Sequence, residues 1–483
     1  MVCNAAVVAL LAIDQGTSAT KAVVLEGSTV LGIAEVGVTV SATVDGAVEL
    51  DPGQMWTSVV DAVEAALAQA GRPRIEAIGL ANQGETVMAW DRASGRATGP
   101  AVVWQDRRSV EVCHRLERHA PRLAHLTGLE LDPYFVAPKI VWLRDRIGDG
   151  AVITTTDTWL LHRMCGEFAT DVATAGRSLL LDLDTTEWSD EACALFGLSV
   201  ADLPRVIGNA EPIGECTAFG WSAPVTGACV DQQAALFAES CHEAGEAKCT
   251  YGTGAFLLAS TGRSPVRSAA GLVGCPAWRI GDATTWCLDG QVYTVGAAVT
   301  WLMAMRIIDD PTDLDRLGGS VPDSGGVTFV PALAGLAAPY WRPEARAAFT
   351  GLSLGTERAH LVRAAVEGIA AQVALLGHAV ASDLGAPMTR LRVDGGLTRS
   401  SLLLQLQADL SQVPLEVYPS PHATAFGAAA FAELGLHPTV PGSARPEALA
   451  WQPERTVSPQ IGPDEAADRL HRWRVVADAT MSL

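Results

Sequence analysis

One short pattern occurs in each half of the chain: an apolar strand, a turn built from Gly and Thr, and a second apolar strand. ALLAIDQGTSATKAVVL (9–25) carries it first, and AKCTYGTGAFLLAS (247–260) carries it again. Apolar runs of strand length, broken by Gly and hydroxyl residues, read as tight hairpins. A hairpin duplicated in this way points to two related α/β domains facing each other across a cleft, where ligands commonly lie. The length, 483 residues, also exceeds one ordinary core. We place a first domain at 1–240, a second at 241–440 and a peripheral tail at 441–483, where Pro and polar residues increase before one last helix.

The elements between the hairpins alternate in kind. A strand is predicted over Ala5–Ile13, and Asp51-Pro52 are good starting residues for a helix in which Trp56, Val59, Val60, Val63 and Leu67 share one face. Strands are expected at 75–82 and 87–91. The second half offers a buried helix within 351–376, a strand at 391–396, a helix at 402–410, a strand at 415–419 and a small-residue helix at 423–435. Strands alternating with helices give α/β architecture.

Composition excludes several functions. The formal charge of −20 opposes non-specific nucleic-acid binding, although backbone N–H groups and Mg²⁺ can still hold a nucleotide's phosphates locally. Ten cysteines without any C-x-x-C pair fit neither a zinc site nor a disulfide scaffold; reduced thiols in a cytoplasm fit better. The apolar N-terminal run lacks a basic segment before it and stops at Asp14, unlike a secretory signal. No apolar run approaches the ~18–20 residues of a membrane span. A cytoplasmic protein with no membrane insertion is expected.

Three Gly-rich strand ends carry the chemistry. In IDQGTSATK (13–21), Gly lets the backbone approach a phosphate while hydroxyls and N–H groups donate to it, and Asp14 would reach Mg²⁺ directly or through water. The alternative is an Asx-type turn. In TGACVDQQAALF (226–237), Asp231 sits on a small-residue turn before an alanine-rich helix, as an N-cap, as a carboxylate aimed into the cleft, or as both. RVDGG (392–396) is shaped to let a base or ribose lie against backbone. No G-x-x-x-x-G-K-[ST] occurs. The arrangement points to phosphoryl transfer to an alcohol, with Asp231 receiving the hydroxyl proton.

From Asp14 to about Leu434 the chain resembles the FGGY carbohydrate kinases, and within them the glycerol kinases. The similarity is carried by DQGT (14–17), AVVWQDRRS (101–109), TGLELDPYF (127–135), TTDTWLLHRM (155–164), GACVDQQAALFA (227–238), CTYGTGAF (249–256), AAFTGLSLGTERAHLVRAAVE (347–367), RVDGG and TAFGAAA (424–430). It implies two actin-like ATPase (ribonuclease H-like) domains closing around ATP and a polyol. It makes Asp231 the catalytic base, with Glu85, Trp104, Tyr134, Asp231, Gln232 and Phe256 around the substrate. Thr17, Ser18, Thr253, Gly296 and Gly396 fall on nucleotide-contacting positions. Lys21 stands where an Arg is usual, keeping the charge and losing the planar fork. A homodimer or a homotetramer is compatible with the resemblance.

The departures bear on the substrate. Glycerol kinases read N-Q-R-E where this chain has NQGE (82–85), so Gly84 replaces an Arg that donates to glycerol hydroxyls. The first expectation is glycerol phosphorylation; the alternative is a four- or five-carbon polyol or ketose admitted by the vacated space. Arg107 or Arg108 could restore the donor. Thr300 and Ser400 replace a Gln and an Asn near the nucleotide. The loop between Gly214 and Pro224 lacks the Gly-rich basic segment that binds fructose 1,6-bisphosphate in some glycerol kinases, so no regulation by that compound is expected.

Overall fold

The computed structural model describes residues 9–43, 46–147, 150–436, 449 and 451–481. Strands β1 (Ala9–Gln15) and β2 (Ala19–Glu26) form the first hairpin, and β3 (Thr29–Gly37) extends it antiparallel. The Ala5–Val8 part of the expected first strand lies outside the described residues. Helix α1 (Pro52–Gln69) starts where Asp51-Pro52 predicts. The Asp51 carboxylate accepts the Gly53 N–H, and Pro52 fills a first-turn position whose N–H would have no helical partner. Met55, Val59, Val63 and Leu67 of α1 are buried.

Strand β4 (Ile75–Asn82) runs parallel to β1, and the expected strand Val87–Asp91 joins a second six-stranded sheet of shorter strands. Further along, the short helix α2 (Val172–Ala175) is capped by Asp171, whose carboxylate accepts the Ala173 and Thr174 N–H groups. Strands β5 (Ala210–Cys216) and β6 (Ala223–Val230) form a hairpin, and β6 lies parallel to β4. The first sheet therefore has the order β5-β6-β4-β1-β2-β3. Helix α3 (Asp231–Ala238) leaves directly from the end of β6.

The second half repeats this plan. Strands β7 (Ala247–Tyr251) and β8 (Ala255–Gly262) form the second hairpin, followed by β9 (Val273–Ile280) and β10 (Ala283–Val292), all antiparallel. After α4 (Gly296–Ala304) comes the long α5 (Arg358–Leu384), then β11 (Leu391–Asp394), α6 (Ser401–Ser411) and β12 (Leu415–Val417). Strands β11 and β12 add in parallel beside β7, as β4 and β6 do beside β1. The expected helix at 423–435 is α7 (Ala423–Leu436). In the tail, β13 (Arg455–Val457) pairs with β12, and α8 (Pro463–Thr480) buries Leu470, Trp473 and Ala477 in the second core. In the order β9-β10-β8-β7-β11-β12-β13, the six strands from β10 to β13 reproduce the strand directions of the first sheet, and β9 is an added edge strand. The repeat legible at the hairpins thus extends to the whole sheet.

Two helices deserve a physical account. Helix α5 is 27 residues long and apolar enough to cross a membrane by length and composition, but 83% of its apolar window is buried inside the protein. It begins at Arg358 because Glu357 and His360 form a reciprocal cap, each side chain engaging the other's backbone N–H. Helix α7 comes from the second half yet lies on the first sheet and on α3. Its fit depends on missing side chains: a Cβ at Gly79 of β4 would stand 2.0 Å from the Ala428 carbonyl oxygen, and one at Gly427 of α7 would stand 2.0 Å from that of Ala234.

Candidate active site

Both Gly-Thr turns and the start of α3 open onto one cavity of about 370 Å³. At one end it is lined by Asp14, Gly16, Thr17, Ser18 and Lys21 from the first hairpin and by Gly252 and Thr253 from the second. Its other end is lined by Gly84, Glu85, Trp104, Tyr134, Asp231, Gln232 and Phe256. Sequence-predicted residues from positions as distant as 14 and 256 are therefore neighbours. Arg177, Val230, Gln233, Thr250 and Asp289 also line this cavity, and sequence reasoning did not single them out.

The remaining nucleotide-side candidates stand outside the cavity lining. Gly296 opens α4, and its N–H donates to the Gly252 carbonyl at 3.1 Å; a Cβ there would sit 2.6 Å from the same oxygen. It fixes the second turn from behind. Thr300 folds its hydroxyl back onto the Gly296 carbonyl. Gly396 opens a short helical turn after β11, beside Gly395, whose φ of +96° and approach to Tyr251 leave no room for a side chain. Ser400 caps α6 through the Leu403 N–H and donates to Asp315 at 2.6 Å.

A polar chain links the two ends. The Trp104 indole donates to Thr17 Oγ1 at 2.9 Å, Thr17 reaches Gln83 Oε1, and Gln83 Nε2 donates to Gln15 Oε1 at 3.1 Å. Thr86 donates to the same Gln83 oxygen at 2.9 Å. The turn holding Gly84 and Glu85 is closed by the Thr86 N–H on the Gly84 carbonyl at 2.7 Å, with Glu85 at φ +52°. A non-glycine residue in that region is uncommon and strained, and such strain gathers where a side chain must be aimed.

The Glu85 carboxylate faces a guanidinium absent from the sequence expectations. Arg177, which follows α2, donates through Nε to Glu85 Oε1 at 2.6 Å and pairs through its NH1 with Asp289 Oδ2 of β10 at 2.7 Å. Arg177 is 2% exposed, so this carboxylate–guanidinium–carboxylate bridge between the two halves is buried. Arg108 is instead bound to Asp106 at 2.7 Å and Glu49 at 2.8 Å. Arg107 lies 3.8 Å from Asp132 and lines a separate cavity of about 130 Å³ behind Trp104 and Tyr134. The space at Gly84 is partly taken by Val230, whose Cγ2 would lie 3.0 Å from a Cβ at that position. The guanidinium that Glu85 meets is that of Arg177.

Two carboxyl groups lining the cavity are pushed toward neutrality. Desolvation, reinforced by the charges of Asp14 and Glu85, pushes Asp231 up to about 7, against its Oδ1 hydrogen bond from the Gln232 N–H (2.7 Å) and the charge of Lys248. Desolvation pushes Asp14 up to about 6, opposed by Lys21. Burial also raises Glu85 and Asp289, with Arg177 opposing it in both. A carboxyl poised near neutrality in a cleft suits proton acceptance at physiological pH. Mg²⁺ takes hard oxygen donors, usually one or two carboxylates besides phosphates, and Asp14 with the Thr17 and Ser18 hydroxyls is such a set.

Comparison with known proteins agrees with this geometry. Residues 9–238 match the N-terminal domain of the FGGY family of carbohydrate kinases and residues 247–435 match its C-terminal domain. A glycerol kinase of Myxococcus xanthus is 42% identical over 96% of this chain and 98% of its own length. A glycerol kinase of Alkalilimnicola ehrlichii is 40% identical over 96% of this chain and 97% of its own. Among solved structures, Plasmodium falciparum glycerol kinase with ADP superposes with a TM-score of 0.89 at 30% identity, covering 98% of both chains. A xylulose kinase from Lactobacillus acidophilus shares the fold, with a TM-score of 0.87 at 20% identity and the same coverage. The duplicated sheets are those of two actin-like ATPase domains, and the chain belongs to the FGGY family of carbohydrate kinases.

Proposed function

We propose that this kinase transfers the γ-phosphoryl group of ATP to a primary hydroxyl of glycerol, with Asp231 as the base. The observation that carries the reading is one cavity in which Asp231 stands between two Gly-Thr turns and the Glu85–Arg177 pair. Relatives about 40% identical and named glycerol kinases support glycerol as the first substrate.

The turns and Lys21 hold the phosphates, and Glu85, Gln232 and Arg177 orient the polyol so that one hydroxyl oxygen faces the γ-phosphorus. Asp231 accepts the proton of that hydroxyl as the oxygen–phosphorus bond forms and the bond to ADP breaks. Positioning and charge neutralisation dominate such a loose transition state. Mg²⁺, when bound with ATP near Asp14, neutralises charge on the phosphate oxygens. Aromatic walls from Trp104, Tyr134 and Phe256 exclude water. ATP as co-substrate and nine free cysteines among the described residues, eight of them buried, suit a reducing cytoplasm.

A second reading, a four- or five-carbon polyol or ketose, is favoured by Gly84 and by the adjoining cavity that shares Trp104, Gln105 and Tyr134 with the main one. Coupled ADP release with Mg-ATP decides between them, using glycerol, erythritol, threitol, pentitols, dihydroxyacetone, erythrulose, xylulose and ribulose ranked by kcat/KM. Glycerol ranking first supports the first reading. A longer compound ahead by tenfold or more, about 1.4 kcal/mol, replaces it. No turnover with any compound refutes both.

A further inference from the structure

Lys248 is fully buried on β7, in the sheet of the second half. Its Nζ donates to Gln232 Oε1 at 2.5 Å and to Thr250 Oγ1 at 2.7 Å. Gln232 belongs to α3 of the first half, and both Gln232 and Thr250 line the cavity. The side chain therefore crosses from one half of the cleft to a substrate-facing amide on the other. Its positive charge acts on four surrounding carboxyl groups, those of Asp231, Glu239, Asp289 and Asp394.

The chemistry of that contact settles which way the amide points. An ammonium has three donors and no acceptor, so only the oxygen of Gln232 can face it. The Nε2 group is then directed away from Lys248. A free glutamine would lose rotamer entropy to hold that orientation. The cavity needs such a donor. Asp231 and Glu85 can only accept when ionised, and the Nε and NH1 groups of Arg177 are already engaged by Glu85 and Asp289.

We infer that Lys248 is a positioning residue for the substrate: by gripping Gln232 Oε1 across the cleft, it fixes Gln232 Nε2 as a donor to a substrate oxygen. The inference rests on the polyol or ketose kinase reading above. It also ties substrate recognition to the relative placement of the two halves. Separating them removes Lys248 from the amide, and the donor loses its fixed direction.

A double-mutant cycle tests this on the full chain with the preferred substrate of the panel, comparing wild type, Lys248→Met, Gln232→Ala and the double variant. Each single substitution is expected to lower kcat/KM roughly ten- to hundredfold through a higher KM for the alcohol, with KM for ATP within about threefold of wild type. Lys248→Met should cost at least tenfold less when Gln232 is already Ala than in the wild type. Losses that multiply to within threefold overturn the inference, as does a folded Lys248→Met protein with unchanged KM. Should Lys248→Met fail to fold, Gln232→Glu carries the test. It keeps an acceptor for Lys248 and deletes the donor, so KM must rise as in Gln232→Ala; an unchanged KM overturns the inference. A wild type that phosphorylates no alcohol would instead overturn the kinase reading itself.

Discussion

Replacing Asp231 by Asn should cut turnover by orders of magnitude and stabilise the fold, and the two effects share one cause. The wild-type carboxyl titrates near 7 in the folded cleft and near 3.8 when unfolded. A raised carboxyl contributes stability that is fully present below 3.8 and is lost as pH rises through about 7. The displacement corresponds to on the order of 4 kcal/mol above pH 7, and contact of the carboxyl with cavity water brings the expected gain to about 2–4 kcal/mol. Asn keeps an Oδ1 to accept the Gln232 N–H, so the helix start is preserved. Urea unfolding in EDTA without nucleotide, at pH 5 and pH 8, measures the difference between variant and wild type. The gap should be near a third of its full size at pH 5 and complete at pH 8. In the ADP-release assay the variant should lose roughly 10²–10⁴-fold in kcat. A gap that does not grow with pH refutes the electrostatic argument, and an Asn variant with wild-type kcat refutes the base.

Arg177→Met strands two buried carboxylates and should cost about 3–5 kcal/mol in urea unfolding at pH 8, while Arg177→Lys should recover part of that but little of kcat/KM because the fork is lost. The pH profile of kcat/KM should fall on the acid side through about 6–7, as Asp14 and Asp231 take up protons; a flat profile down to pH 5 contradicts their assignment. Gly427→Ala should destabilise by about 1–3 kcal/mol or more, read as a lowered urea midpoint, because its methyl meets the Ala234 carbonyl.

What the sequence discloses depends on how local each signal is. The hairpins, the α1 start at Asp51-Pro52 and the Asp231 turn are written in adjacent residues, and all stand where they were expected. The buried face within 351–376 was legible, but the α5 start at Arg358 was not marked, because its cap uses Glu357 with His360 and lacks the usual Ser or Thr. Arg177 carries no local mark: it sits in AGRSLL, and its partner Glu85 is 92 residues away. Ser400, placed near the nucleotide by the family resemblance, has a role the residues around it did not mark: it caps α6 and donates to Asp315. The seat of α7 was equally hidden, because an alanine-rich helix announces burial without naming the sheet that buries it.

That seat constrains how such chains can be recombined. The two halves share a plan, yet the first sheet is roofed by a helix encoded after residue 422 and held backbone to backbone at Gly79, Gly227, Gly427 and Gly435. A fragment ending near 240 would leave the faces of β4 and β6 open to water. A hybrid made by joining unrelated halves would inherit a roof whose knobs miss the glycine notches. Substrate preference can drift through single residues lining the cleft, but the halves themselves must travel together. The same glycine seam seats α7 against α3, the helix that Asp231 begins.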